Sequence, residues 1–394
     1  MTDALPRWAD IVLVPLLNLA LALLASGLVV FLIGENPVEV LTLLARGALG
    51  SVEGWSYTLY YATNFIFTGL GVAVAFHARL FNIGGEGQAA IGGLGVALAL
   101  LYVPWPHWSL ALLAAIAGAA LFGAAWAAVP AYLQAKRGSH IVITTIMFNF
   151  IASALMVYLL SRVLLVPGAG GSPETARFAA ETNLPAIGDL YALLGLGCVE
   201  RPIATVCRAP LNIAFPLALL ACLAVWFLLW RTRLGYEIRA FGHSEPAAHY
   251  SGISPTRIVM VAMLISGALC GMMAINSVMG EAERLVIDPV QGAGFVGIAV
   301  ALMGRSHPLG VLIAAVLFGM LYQGGGYVEF DIPAISRDMI LVIQALVILF
   351  TGALDNLVRL PMERAFLSRR RQPVPVAPTN PIETGGHPEK RVEP

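Results

Sequence analysis

Charge is scarce in this sequence. Only 12% of its 394 residues are Asp, Glu, Lys or Arg, about half the ~25% of a soluble domain. So little charge cannot cover a water-soluble body of this size. Lysine is scarcer still, with only Lys136 and Lys390 among 23 basic residues. An ATP-binding P-loop needs a lysine directly after a glycine, in the pattern G-x-x-x-x-G-K-[ST]. Neither lysine follows one, so ATP hydrolysis is not expected in this chain. There are four cysteines and no CxxC or His/Cys cluster, which leaves no metal site to propose and no cofactor. Cys222 and Cys270 lie inside apolar runs and read as packing residues. Net charge is zero, and nothing suggests a nucleic-acid partner. His77, His107, His140, His243, His249, His307 and His387 are scattered among loops and helix ends. No nucleophile–base set forms, which argues against an intramembrane enzyme. Acidic groups are also nearly missing from the apolar interiors, where a self-sufficient H⁺- or Na⁺-coupled transporter would need them.

What the chain has instead is apolar length. A membrane-spanning helix needs about 20 apolar residues, and ten candidate runs stand at 11–33, 56–77, 86–103, 108–131, 141–163, 211–230, 257–279, 293–304, 309–323 and 338–355. The first is longer than the ~7–15 residues of a signal-peptide core. The reading is an all-α integral membrane protein of about ten transmembrane helices. A membrane domain covers 1–360, and a polar, Pro-rich tail at 361–394 is expected to be disordered. With the 231–256 loop in the cytoplasm, alternation puts 16 basic residues inside and seven outside. That asymmetry satisfies the positive-inside rule and places both termini in the cytoplasm. The long loop 164–210 then lies outside, and it carries Cys198 and Cys207, which can pair if that compartment is oxidising.

Two runs, 293–304 and 309–323, are too short to cross a core of about 30 Å. They read as a pair of short helices that dips from the outer side and returns. Such breaks survive at membrane depth only inside protein or beside water.

Local sequence marks two further elements. Residues Asn82, Gly84, Gly85, Glu86, Gly87 and Gln88 sit between apolar runs, at the expected cytoplasmic edge. Glu86 there is expected to hydrogen-bond loop amides and fix a hinge, or else to line the inner mouth of a path. In the cytoplasmic loop, Ser244-Glu245-Pro246 starts a helix and Gly252 stops it. The resulting helix of about seven residues is too short to stand alone. It needs neighbours or a partner protein.

At four places the chain resembles permeases of ABC importers for sugars, nucleosides and branched-chain amino acids, closest to the nucleoside/simple-sugar branch. These places are Phe81 through Gln88; Gly138-Ser139-His140 through Asn149; Gly235, Arg239-Ala240, Gly242, Ala247-Ala248 and Gly252-Ile253; and Gly292-Ala293-Gly294-Phe295 with Gly297 and Gly304. The sequence departs from the usual pattern at Ile141 and His243, where family members often carry Glu and Asn. The resemblance implies a fold similar to the cobalamin importers. It implies a second permease subunit, more often a different chain than a second copy, together with a cytoplasmic ABC ATPase and an extracytoplasmic solute-binding protein in the cell inner membrane. Arg239, Gly242, Glu245, Ala247, Ala248 and Gly252 would then belong to the helix that couples to the ATPase. Asn82, Gly84, Glu86, Gln88, Asn149, Gly292, Gly294 and Gly297 are expected to line or gate the pathway.

Overall fold

The computed structural model describes residues 6, 13–165, 173–189, 209–350 and 359–362. Cys198, Cys207 and nearly all of the 361–394 tail lie outside the described residues. Each of the ten apolar runs coincides with a helix. In chain order these are α1 (Val14–Leu32), α3 (Val52–His77), α4 (Gly85–Leu101), α5 (Trp108–Arg137), α6 (Ile141–Tyr158), α7 (Ala214–Arg231), α10 (Pro255–Ala274), α11 (Ala293–Met303), α12 (Pro308–Asp331) and α13 (Arg337–Ile348). Among the described residues three more α-helices lie between them: α2 (Pro37–Leu49), α8 (Arg233–His243) and α9 (Glu245–Tyr250). Among the described residues six helices are long and apolar enough to cross a membrane: α3, α5, α6, α7, α10 and α12. Taken as one bent span, α1 and α2 make a seventh.

α2 falls short of the apolar length a span requires, and only its capping marks it. Asn36 accepts from the Val38 amide at 3.0 Å and Pro37 opens the first turn. The helix turns 119° away from α1 and leans on α12, where a methyl group on Gly324 would lie 2.3 Å from the Leu44 carbonyl oxygen.

α3 is the central post. Of its most apolar stretch 83% is buried within the chain, against 22% for α5 and for α6, which therefore stand at the periphery. Lipid gives helices no hydrophobic reason to associate, so close backbone approach has to supply the contact. The crossings of α4, α5 and α10 use it most. A methyl on Gly95 would meet the Gly118 carbonyl oxygen at 2.3 Å, and one on Gly123 the Gly267 carbonyl oxygen at 2.3 Å.

The expected pair of short helices is only half correct. α11 has 11 residues, but α12 runs for 24 and is a full span. The sequence reading ended it at Gln323, before Gly324, Gly325 and Gly326. Packing against α2 and α13 carries the helix through those glycines, since Ile340 crowds Gly325 from the other side.

α11 can be located along α3. At one end Thr68 Oγ donates to the Ala293 carbonyl at 3.0 Å, and at the other His77 Nε2 lies 3.1 Å from the Ser306 carbonyl oxygen. The nine residue steps from Thr68 to His77 cover about 14 Å. α11 therefore occupies only the half of the bundle nearer His77. α4 begins at the same level, beside Gly292 and Gly294, and runs the other way. The chain thus crosses twice as an irregular stretch followed by a short helix: 78–84 then α4, and 283–292 then α11. The N-termini of the two helices meet in mid-bundle.

The loops sort to two ends. Gly242 packs on the His77 carbonyl, Trp230 touches the rings of His77 and His307, and Arg79, Gln134 and Pro246 line one cleft. Of the segments expected on one side of the membrane, 78–85, 132–140, 231–256 and 305–308, all but 82–85 therefore share one end. At the other end the 173–178 strand-like segment pairs with 283–285 through Thr175 N to Leu285 O (3.0 Å) and Phe178 N to Glu283 O (2.8 Å). Arg284 also binds Glu174 there.

Candidate functional site

Each of the two mid-bundle helix ends has a side chain from another helix as its cap. A helix N-terminus carries unpaired amides and partial positive charge, and lipid offers neither any partner. For α4 the cap comes from α6. Asn149 Oδ1 accepts from the Gly87 amide at 2.9 Å, and its Nδ2 donates to the Ile83 carbonyl at 2.9 Å. For α11 the cap comes from α4. Glu86 Oε1 accepts from the Gly292 amide and Oε2 from the Gly294 amide, both at 2.8 Å. Gly292 is left-handed (φ 80°), which frees its amide to point at the carboxylate.

Asn82 completes the joint. Its Oδ1 accepts from the Gly84 amide at 2.9 Å, and its Nδ2 donates to Gln88 Oε1 (2.9 Å) and Ser266 Oγ (2.8 Å). Asn82, Gln88 and Ser266 are buried. The glycines of the joint exist for contact. A methyl on Gly294 would lie 2.3 Å from the Glu86 amide nitrogen, and one on Gly297 2.4 Å from Thr68 Oγ.

The structure therefore brings together Asn82, Gly84, Glu86, Gln88, Asn149, Gly292, Gly294 and Gly297, from three parts of the chain. It corrects their level. The 82–88 element lies in mid-bundle rather than at the cytoplasmic edge, because 78–81 climbs back from the His77 end before α4 begins. The amides that Glu86 holds are those of Gly292, at the end of the loop before α11, and Gly294, in the first turn of α11.

Sequence reasoning missed the polar crevice beside this joint. Tyr60, Tyr61, Asn64, Phe65, Glu281 and Tyr322 contribute to it, with Gln291 on the loop before α11. Its volume is about 70 Å³, well below the ~300 Å³ lower bound of small-molecule sites. In this conformation the crevice is closed to any solute larger than a few waters. A buried amide chain forms its back wall: Asn212 Nδ2 donates to Asn276 Oδ1 (3.0 Å), and Asn276 Nδ2 donates to Asn64 Oδ1 (2.8 Å) and the Tyr60 carbonyl (3.0 Å). The Tyr60 hydroxyl donates to Glu281. Behind α10 the helix widens into a π-helical turn over Ile275–Ala282. In an α-helix, residues five apart point about 140° away from each other. The i→i+5 ladder of the π turn brings Asn276 and Glu281 toward one face. The separation Asn276-to-Glu281 was the available signal, but period-3.6 reading discards it.

At the His77 end, α9 has the cap and stop expected: the Ser244 hydroxyl accepts from the Ala247 amide at 3.4 Å, and Gly252 is left-handed (φ 80°). The residues expected to couple to the ATPase do not share one face. Gly242 is buried against the His77 carbonyl, and Ala248 is 3% exposed, packed into its own chain. Arg239 is half-buried, while Glu245 and Ala247 face out. Tyr250, at 94% exposed, and Tyr236, at 63%, project beside them and were not anticipated. A second helix, α8, carries α9. Buried Glu237 anchors it, with Arg233 at 3.0 Å and Arg257, on α10, at 3.8 Å.

Comparison with known proteins follows the same lines. A glucose ABC transporter permease protein of Haloferax volcanii is 32% identical over 85% of this chain and 86% of its own length. The guanosine ABC transporter permease protein NupP of Bacillus subtilis is 33% identical over 86% of this chain and 93% of its own. A second guanosine permease protein of the same organism, NupQ, is 27% identical over 66% of this chain and 78% of its own. These relatives and the apolar helices make the chain a multi-pass membrane protein. A family described as the permease component of the branched-chain amino acid transport system matches residues 54–352, and the chain belongs to that family of ABC-transporter permeases.

Proposed function

We propose that this chain is the permease subunit of an ATP-binding-cassette importer and forms the path for a small neutral polar solute, a nucleoside or a simple sugar. The carrying observation is the mid-bundle joint. Two helices start where a lipid-facing chain could not leave amides bare, and a side chain from another helix caps each. Broken helices at that depth belong beside a protein-enclosed aqueous route. The substrates named for the relatives, glucose and guanosine, support that class.

In this reading all ten apolar helices cross or enter the cell inner membrane, in a fold similar to the cobalamin importers. Both termini and the 231–256 loop lie in the cytoplasm, 164–210 lies outside, and Cys198 and Cys207 form a dispensable bridge there. Residues 1–360 make the membrane domain and 361–394 a cytoplasmic tail. α9 is the coupling helix, and the ABC ATPase is a separate protein that docks on Glu245, Ala247 and Tyr250, with Arg239 and Gly252 shaping the loop. A second permease completes the path. That NupP and NupQ of one organism both resemble this chain favours a different chain in that place. A solute-binding protein delivers from outside. The joint of 82–88, Asn149 and 292–297 acts as the gate, with two arrangements that ATP binding biases.

The test is reconstitution of the complete importer in vesicles. ATP-dependent uptake of guanosine or of a simple sugar is expected. Uptake of both without ATP, driven by an ion gradient, would make it a secondary transporter.

A further inference from the structure

Glu281 is an exposed carboxylate at a depth where lipid would penalise it. Measured along α3, its partner Tyr60 sits eight residues from Val52, about 12 Å inward. A 26-residue helix of about 39 Å overhangs a core of about 30 Å by a few Å at each end, so Tyr60 lies several Å inside it. Ionisable groups at such depth face a water-filled cavity or other protein. The π turn that aims Glu281 is itself a feature concentrated at functional sites. So is the left-handed backbone of Gln291 (φ 52°), a non-glycine residue in a conformation that costs free energy. All three meet in the same crevice, and the Asn212–Asn276–Asn64 chain braces its back. Aromatic rings complete the wall: Tyr61 and Phe65 lie 5.6 and 5.0 Å from Tyr322, centroid to centroid.

From this geometry we infer that Glu281 and Tyr60 form a recognition site for a vicinal diol on the translocation path, one that selects ribose-type solutes over their 2-deoxy counterparts. This rests on the permease reading above. A carboxylate has two acceptor oxygens and no donor. Two adjacent hydroxyls present two donors with matching spacing, and the aromatic wall takes the flat face of a sugar or base. The Tyr60 hydroxyl holds the carboxylate in place until solute arrives. Removing one hydroxyl leaves one carboxylate oxygen without the partner the diol gives it. A hydrogen bond to a charged group is worth about 1.5–3 kcal/mol, or roughly ten- to a hundredfold.

The experiment uses the complete importer in vesicles, with guanosine against 2′-deoxyguanosine, whose sugar ring has no vicinal diol. Wild-type protein should take up the diol form faster. Glu281→Gln should lower diol uptake about tenfold or more and change deoxy uptake less than twofold, so the ratio collapses. The binding protein is the same in both, and its own preference cancels. Tyr60→Phe keeps the ring and loses the hydroxyl; its ratio should fall severalfold, and it decides the matter if Glu281→Gln does not accumulate in the membrane. An unchanged ratio in both variants, or an equal fall for both solutes at normal protein yield, overturns the diol site and leaves the permease reading standing. A wild-type importer that moves neither guanosine nor any simple sugar, glucose included, overturns both.

Discussion

Glu86 shows how one side chain can be structural and still sit at the centre of function. Both of its oxygens accept from α11 amides, a task only a carboxylate performs fully. In Glu86→Gln one acceptor becomes an NH₂ facing another amide. Leaving a buried donor unpaired costs about 1–3 kcal/mol, so the variant should assemble but melt several degrees lower in detergent, by size-exclusion after heating. Gly294→Leu is more severe, because its first methylene group already overlaps the Glu86 backbone. It is expected to disassemble the bundle rather than selectively block transport. Gly118→Leu, in a span without a polar break, is expected to disturb packing as well, for the Gly95 carbonyl occupies that space. A normal melting profile for Gly294→Leu would mean that α4 and α11 do not meet. None of these contacts was legible in the sequence. It displayed Asn82, Glu86, Gln88 and Asn149 as polar residues among apolar ones, and periodicity assigns such residues to a helix without saying which helix ends they cap.

At the scale of elements, sequence worked best where capping and stop signals agree. The cap of α9, its stop and its length emerged as expected from Ser244, Pro246 and Gly252. Which face it offers did not, because six residues have too little periodicity to define one. Burial decides it. Ala247→Glu places a charge on the outward face and should abolish ATPase association and uptake while leaving assembly intact. Ala248→Glu forces a carboxylate into the loop's own core and should lower the yield of folded protein instead. Co-purification of the ATPase with each variant separates the two, and equal ATPase binding by Ala247→Glu and wild type would move the docking surface elsewhere. Element length failed where packing overrides propensity. α12 continues through three consecutive glycines because α2 and α13 hold it, and α2 itself is amphipathic and never reaches a span's apolar count. The half-length of α11 was visible, since no apolar run can be longer than its composition allows.

For the whole molecule, the sorting of loops to two ends is the strongest agreement between charge pattern and structure. Arg79, Arg137, Arg233, Arg239 and Arg305 lie at the end that carries α9, and Arg177 and Arg284 at the other. In a protein whose four native cysteines are replaced, Tyr250→Cys should react with a membrane-impermeant maleimide only after the membrane is opened, and Glu181→Cys in intact spheroplasts. The reverse pattern would invert the molecule in the membrane.

The joint also bears on how the chain enters the bilayer. A helix of 11 residues is about 17 Å long and, led by the bare amides of Gly292 and Gly294, has little reason to leave the translocon for lipid. Its cap, Glu86, was synthesised some two hundred residues earlier and is already embedded when α11 emerges. The early half of the chain thus serves as the solvent into which the late half inserts, so biogenesis runs in a fixed order, with α3 and α4 in place before α11 can follow.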